Sequence, residues 1–217
     1  MALAIFDLDE TLISTDSDHE WGQYVADAGL VDAEVHRQRN DEFYEQYRVG
    51  KLDINAYLAF ACSVLTRHPL DILHQHRAEF VESRIKPKVL PRAIDLVNNH
   101  RDQGNYVMVI TSTIEFITRP IVDLFGIETL LAPIPEFADG RYTGAIAGVP
   151  AFGAGKVTRL KSWLKDSDHD LGGSFFYSDS HNDLPLLKQV DHPVAVDPDP
   201  ILKQEAAKNR WSVVSLR

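Results

Sequence analysis

Three stretches of the chain are largely apolar without alternation. Ala2 to Phe6 stops abruptly at Asp7, Tyr106 to Ile110 follows Gly104, and Ser174 to Tyr177 follows Gly172 and Gly173. Short continuous runs of this kind predict strands buried on both faces, as in a parallel sheet. Pro193 to Val196 and Ser212 to Leu216 are weaker strand candidates. Helical patterns lie between these runs. Ala93 to Arg101 precedes the second strand and Ile114 to Phe125 follows it. Lys156 to Lys165 carries Val157, Leu160 and Leu164 at spacings suited to one helical face. Leu184 to Gln189 and Ile201 to Lys208 add two shorter pieces. Strands alternating with helices predict an α/β fold with a parallel, Rossmann-like sheet.

Residues 16–86 break the alternation. They contain no strand pattern and read as three or four successive helices. Apolar and aromatic positions recur at Trp21, Tyr24 and Val25, at Phe43, Tyr44 and Tyr47, at Ile54, Tyr57, Leu58 and Ala61, and at Leu70, Leu73 and Phe80. Gly29, Gly50 and Pro69 mark the joints, and Pro87 and Pro91 mark the return to the sheet. The expected division is a core of residues 1–15 and 87–217, with a helical domain of residues 16–86 inserted after the first strand. A small hairpin is expected from Leu131 to Phe137, turning at Asp139-Gly140 and returning over Tyr142 to Ala147.

Composition narrows the possibilities. At 217 residues, 44% hydrophobic and 25% charged, the chain is long enough for one core with an insert and no staples. Cys62 is the single cysteine, so neither a disulfide framework nor a cysteine-based zinc cluster is available. No apolar run approaches the roughly 20 residues of a membrane span. Acidic residues begin at Asp7 with no basic start, which argues against a signal peptide and for a cytoplasmic protein. A net charge of −10 argues against a grip on nucleic acid phosphates. An enzyme with a carboxylate-rich site and a non-catalytic acidic binding protein both remain.

Four short segments fall at or near the carboxyl ends of the expected strands, the edge where open α/β sheets bind ligands. They are Asp7-Leu8-Asp9-Glu10-Thr11, Thr111-Ser112-Thr113, Lys156, and Ser178-Asp179-Ser180-His181-Asn182-Asp183. Asp7 and Asp9 alone fit a solvated turn equally well. With Asp179 and Asp183 on the same edge, the set becomes an oxygen-ligand site for a hard cation, most naturally Mg²⁺. Thr111 can donate its hydroxyl to a phosphate oxygen, and the backbone N–H groups of Ser112 and Thr113 can do so from the start of a helix; taken alone, the segment also reads as a plain Ser/Thr helix cap. Lys156 supplies a positive charge for the phosphate and for a carboxylate nucleophile.

Taken in order, these segments resemble the four motifs of the haloacid dehalogenase-like hydrolases. The helical insert after the first motif is similar to that of the phosphoserine phosphatase-like branch. Where that branch has Gly-Asp-Gly, this chain has Ser178-Asp179-Ser180, and Ser112-Thr113 stands where serine-specific members have two glycines. The resemblance implies a Rossmann-like core with a helical cap and Mg²⁺-dependent hydrolysis of a phosphate monoester. It implies Asp7 as nucleophile, forming an aspartyl-phosphate, and Asp9 as general acid and base. It implies metal binding by Asp7, Asp9 (through its carbonyl), Asp179 and Asp183 (through water), and phosphate binding by Thr111, Ser112, Thr113 and Lys156. Asp9, the second acid of the first motif, favours a phosphatase over a dehalogenase.

Substrate choice falls to the insert. Its opening is Asp16-Ser17-Asp18-His19-Glu20-Trp21, and the resemblance implies that an acid near this point, Asp16, Asp18 or Glu20, binds a substrate amine. Trp21, Phe43 and Tyr47 fit either a place beside a substrate ring or amine or packing in the core. Acidic residues at a helix start also simply complement its dipole. The position of the branch's carboxylate-binding arginine falls near Ala59 or Ala61, and alanine makes no bidentate grip. The expected substrate is therefore a small phosphorylated metabolite of the amino-alcohol type, such as histidinol phosphate. Phosphoserine hydrolysis and phosphoryl transfer to another alcohol are the alternatives. The expected partners are that metabolite alone, with no nucleic acid and no membrane, in a monomer or homodimer.

Overall fold

The computed structural model describes all residues from Met1 to Arg217. Six parallel strands form one sheet: β1 (Leu3–Phe6), β2 (Tyr106–Ile110), β3 (Thr129–Leu131), β6 (Phe175–Ser178), β7 (His192–Val196) and β8 (Ser212–Val214). Their spatial order is β3-β2-β1-β6-β7-β8. The chain moves outward from β1 to β3, then crosses back to β6 and moves outward on the other side. The reversal between β1 and β6 opens a crevice at the carboxyl ends of those strands.

Alternate residues of the strands feed two apolar clusters, which is why the runs are apolar throughout. Ala4 and Phe6 face one side with Val109, Tyr177, Val194 and Val196. Leu3 and Ile5 face the other with Met108, Ile110, Phe176 and Ala195. The second side is covered by Leu160 of α7 (Ala154–Lys165), Leu186 of α8 (Leu184–Leu187) and Leu202 of α9 (Pro200–Asn209). The first side is covered by α5 (Pro91–Asp102) and α6 (Glu115–Asp123) through Val97 and Ile117.

Between β1 and β2 come four helices: α1 (Ser17–Asp27), α2 (Ala33–Arg48), α3 (Ile54–Leu65) and α4 (Leu70–Phe80). A π turn (Val81–Ile85) and a 3₁₀ turn (Lys86–Lys88) then lead back to the core. Asp16, Asp32 and Asp53 cap α1, α2 and α3 by accepting backbone N–H bonds. Trp21, Leu58 and Phe80 from this bundle join the same apolar cluster as Phe6 and Ile117, so burial is continuous from insert to sheet.

The hairpin forms as β4 (Ile134–Ala138) and β5 (Arg141–Ala147), and β5 packs against α3. Leu131 does not belong to it. It ends β3, a three-residue edge strand of the main sheet, where it pairs with Ile110. No helix is long and apolar enough to cross a membrane.

Candidate active site

The end of β1 delivers Asp7, the end of β2 Thr111 and the end of β6 Asp179. Asp7 N–H donates to the Tyr177 carbonyl (2.9 Å), which ties the end of β1 to β6. Lys156 reaches the same place from α7. Gly153 before that helix has φ 52° and ψ −122°, a region open essentially only to glycine. At Gly155 a side chain would begin 2.0 Å from the Pro150 carbonyl oxygen. The two glycines let the start of α7 pack against the preceding loop, with Lys156 directed inward.

Lys156 is 1% exposed, and its Nζ lies 2.7 Å from Asp183 Oδ2 and 3.1 Å from Asp7 Oδ1. Ser178 Oγ donates to the same Asp183 oxygen at 2.8 Å. Ser178 thus fills the place of the branch's glycine and adds a bond to the acid it holds. Asp183 Oδ2 thus accepts from two donors and holds the Lys156 ammonium in place. Asp179 Oδ1 accepts from Thr11 Oγ1, whose oxygen in turn accepts the Asp179 N–H, both at 3.1 Å. Asp9 Oδ1 accepts the Ser17 N–H at 2.7 Å, and its Oδ2 accepts the Thr113 hydroxyl at 2.9 Å.

Burial dominates the electrostatics. It drives Asp7 well above the usual carboxylate range; Lys156 opposes the rise, while Asp183, Asp179 and Asp9 add to it. Asp179 is raised to about 8 by burial and by the Asp183 charge. Asp9 is raised to about 6 by burial and by Asp16, against its bonds to Ser17 and Thr113. Burial alone would lower Lys156, but Asp183 and Asp7 outweigh it and hold the ammonium above its ordinary range. One buried cation among several buried acids leaves the crevice short of positive charge.

Three residues expected to bind phosphate reach the crevice from the end of β2. Thr111, Ser112 and Thr113 line the crevice with Asp7 and Asp9. The N–H groups of Ser112 and Thr113 do not open a helix, because α6 begins only at Glu115. The Thr113 N–H is taken by Thr111 Oγ1 at 3.2 Å and its hydroxyl by Asp9. The Ser112 N–H donates to no backbone carbonyl and stays available.

The insert closes the crevice into a chamber of about 40 Å³, where Asp7, Asp9 and Thr111 to Thr113 of the core face Asp16, Asp18, His19, Asn40, Phe43, Tyr44, Tyr47, Leu52, Ile54 and Tyr57 of the insert. By that measure it holds about three waters. A wider cavity of about 660 Å³ shares Asp9, Asp16, Tyr44 and Tyr47 with it and opens Asp179 to solvent. Asp16 and Asp18 are each raised to about 7, chiefly by burial.

Two expected substrate residues lie elsewhere. Glu20 is paired with Lys88 at 2.5 Å and turned away from the chamber. Trp21 is 2% exposed in the apolar core, stacked on Tyr24 and edge-on to Phe80 and Phe116. Its position on α1 faces the sheet, not the chamber. Phe43 and Tyr47 line the chamber together with His19, Tyr44 and Tyr57, three residues not expected there. No local pattern marks those three, since their common chamber is assembled from three helices.

The sequence profile of the haloacid dehalogenase-like hydrolases matches residues 4–188. The chain is 45% identical, over 99% of its own length and 99% of the relative's, to a histidinol-phosphatase of Neisseria meningitidis serogroup C (strain 8013). A crystal structure of a protein of unknown function from Bordetella pertussis Tohama I has a TM-score of 0.94 at 40% identity, covering 100% of this chain and 99% of that one. A substrate-bound phosphoserine phosphatase shares the fold, with a TM-score of 0.73 at 19% identity over 100% and 93% of the two chains. With a profile spanning most of its length and a close relative matched end to end, the chain belongs to the haloacid dehalogenase-like hydrolases and is a phosphatase, a phosphoric monoester hydrolase, of that family.

Proposed function

We propose that the protein hydrolyses the phosphate monoester of a small amino alcohol, with histidinol phosphate as the substrate. The observation that carries this reading is the insert's side of the chamber: buried Asp18, half-buried Asp16, four aromatic rings and neither arginine nor lysine. Such a chamber accepts N–H groups and a flat ring, and it leaves a substrate carboxylate unpaired at a cost. The full-length similarity to a histidinol-phosphatase supports the same substrate.

In this reading residues 16–86 act as a cap that selects the organic group, while the core handles phosphate. Asp7 attacks phosphorus and forms an aspartyl-phosphate, which divides one difficult displacement into two easier ones. Asp9, held by Ser17 and Thr113, gives its proton to the leaving oxygen. It then takes a proton from the water that cleaves the aspartyl-phosphate. Lys156, Thr111 and the free N–H of Ser112 hold the equatorial oxygens, where charge spreads during transfer.

A divalent cation would offset the negative charge that these buried acids crowd together. No group of three acidic or histidine side chains gathers around one point. Two carboxylates, Asp7 and Asp179, with the Asp9 carbonyl would hold Mg²⁺, an ion that keeps several waters and takes its remaining ligands from phosphate. When bound it supplies the positive charge that the crowded carboxylates lack.

The test is phosphate release by purified protein with Mg²⁺. Histidinol phosphate is expected to exceed phosphoserine in kcat/KM by roughly 100-fold. Equal rates, or a preference for phosphoserine, would overturn the substrate assignment.

A further inference from the structure

The three acids at the start of α1 look interchangeable in sequence, yet the structure gives them different amounts of free bonding capacity. Asp16 Oδ1 is committed to its own helix, accepting the N–H groups of Asp18 at 3.0 Å and His19 at 2.8 Å. Glu20 is committed to Lys88. Asp18 is 6% exposed, and its Oδ2 is buried with no hydrogen-bond partner. The Tyr57 hydroxyl faces this carboxylate from α3, and both residues line the inner chamber.

A buried carboxylate oxygen without a donor costs stability, and folded proteins keep few of them. Where one lines a ligand chamber, a ligand that brings a donor removes that cost, and a ligand without one leaves it in place. The surrounding walls, including Phe43, Ile54 and Tyr57, are mostly flat or apolar. They suit a planar group whose only demand is a bond at its edge.

We infer that Asp18 is the specificity-determining residue of this enzyme, accepting a hydrogen bond from a ring N–H of a five-membered nitrogen heterocycle. Tyr57, beside Asp18 in the chamber wall, orients the carboxylate, and Asp16 serves mainly as the helix cap. The inference deepens the proposed amino-alcohol reading and takes its ligand class from it. Its test is arranged so that the two fail separately.

Hydrolysis of phenyl phosphate, which has no N–H donor, reports the core machinery. Histidinol, added as a competitive inhibitor of that hydrolysis, reports the Asp18 subsite. Asp18→Asn is expected to raise the inhibition constant of histidinol by about ten-fold or more. Its kcat/KM for phenyl phosphate is expected to fall by a much smaller factor. Tyr57→Phe is expected to raise the same inhibition constant by about three-fold, and phenyl phosphate turnover shows that either variant is folded. The inference is overturned if histidinol does not inhibit the wild-type enzyme. It is equally overturned if Asp18→Asn leaves the inhibition constant unchanged, or if both measurements fall together. Poor hydrolysis of histidinol phosphate relative to phosphoserine would sink the substrate assignment, and the inhibition data would still decide Asp18.

Discussion

Lys156 Nζ stands 3.1 Å from Asp7 Oδ1, with both side chains almost wholly buried. The contact joins α7 to the end of β1, and Asp183 on the other side of the ammonium makes it a three-charge cluster. Attraction between such groups is strong because water is excluded, and each member depends on the others to offset its desolvation.

Removing the cation therefore damages both stability and chemistry. Lys156→Ala is expected to cost about 3–5 kcal/mol, because it leaves two buried carboxylates facing each other. Phosphatase activity is expected to fall by about 10³-fold or more as the transferring group loses its fixed charge. Urea unfolding and phenyl phosphate turnover measure the two effects. A loss of activity at unchanged stability would contradict the account of the cluster.

The same shortage of positive charge predicts metal-linked stability. At a Mg²⁺ concentration near 100 times its dissociation constant, folding is expected to gain about 2.7 kcal/mol. Asp179→Asn is expected to abolish most of that gain, since burial and Asp183 already hold Asp179 up near 8 without an ion. Thermal melts with Mg²⁺ and with a chelator read this independently of turnover. An undiminished Mg²⁺ effect in Asp179→Asn would place the ion elsewhere.

What the sequence disclosed depended on how local each signal was. β1, β2 and β6 were legible as continuous apolar runs because each strand is buried on both faces. Lys156 and the acids of the first and fourth segments were legible because their order along the chain is itself the pattern. β3 was not, since three residues carry no period and Leu131 is defined by its pairing with distant Ile110. The Asp18–Tyr57 relationship joins α1 to α3 across 39 positions, and nothing in either segment points to the other. Asp16, Asp18 and Glu20 separated only when the cap bonds and the Lys88 pair were visible.

In sequence, Trp21 fits either a place beside a substrate ring or packing in the core. Its burial predicts the packing role. Trp21→Ala is expected to destabilise the protein by about 3–5 kcal/mol, since the ring links α1 to Phe80 and to Phe116 of α6. Trp21→Phe loses no hydrogen bond, because Nε1 has no partner. It is expected to cost about 1–2 kcal/mol and to keep kcat/KM for phenyl phosphate and histidinol phosphate within about three-fold of wild type. A selective loss on histidinol phosphate would return Trp21 to the chamber.

Asp18 should trade stability for specificity, with a sign fixed by its titration. Burial raises the folded-state value from 3.8 to about 7. Between those two values the folded protein holds a proton that the unfolded chain has released. Stability from this group is therefore full below pH 4, declines as pH rises to about 7, and is flat beyond. Asp18→Asn removes that decline. The variant is expected to match wild type near pH 4 and to exceed it at pH 8 by on the order of 2–4 kcal/mol, a rise of roughly 4–12 °C in Tm for a chain of this size. Melts at both pH values and fixed Mg²⁺ make the comparison. A difference between variant and wild type that is the same at pH 4 and pH 8 would mean that Asp18 is not titrating in the folded protein. A larger gain at the lower pH would reverse the sign and place its charge in a stabilising contact.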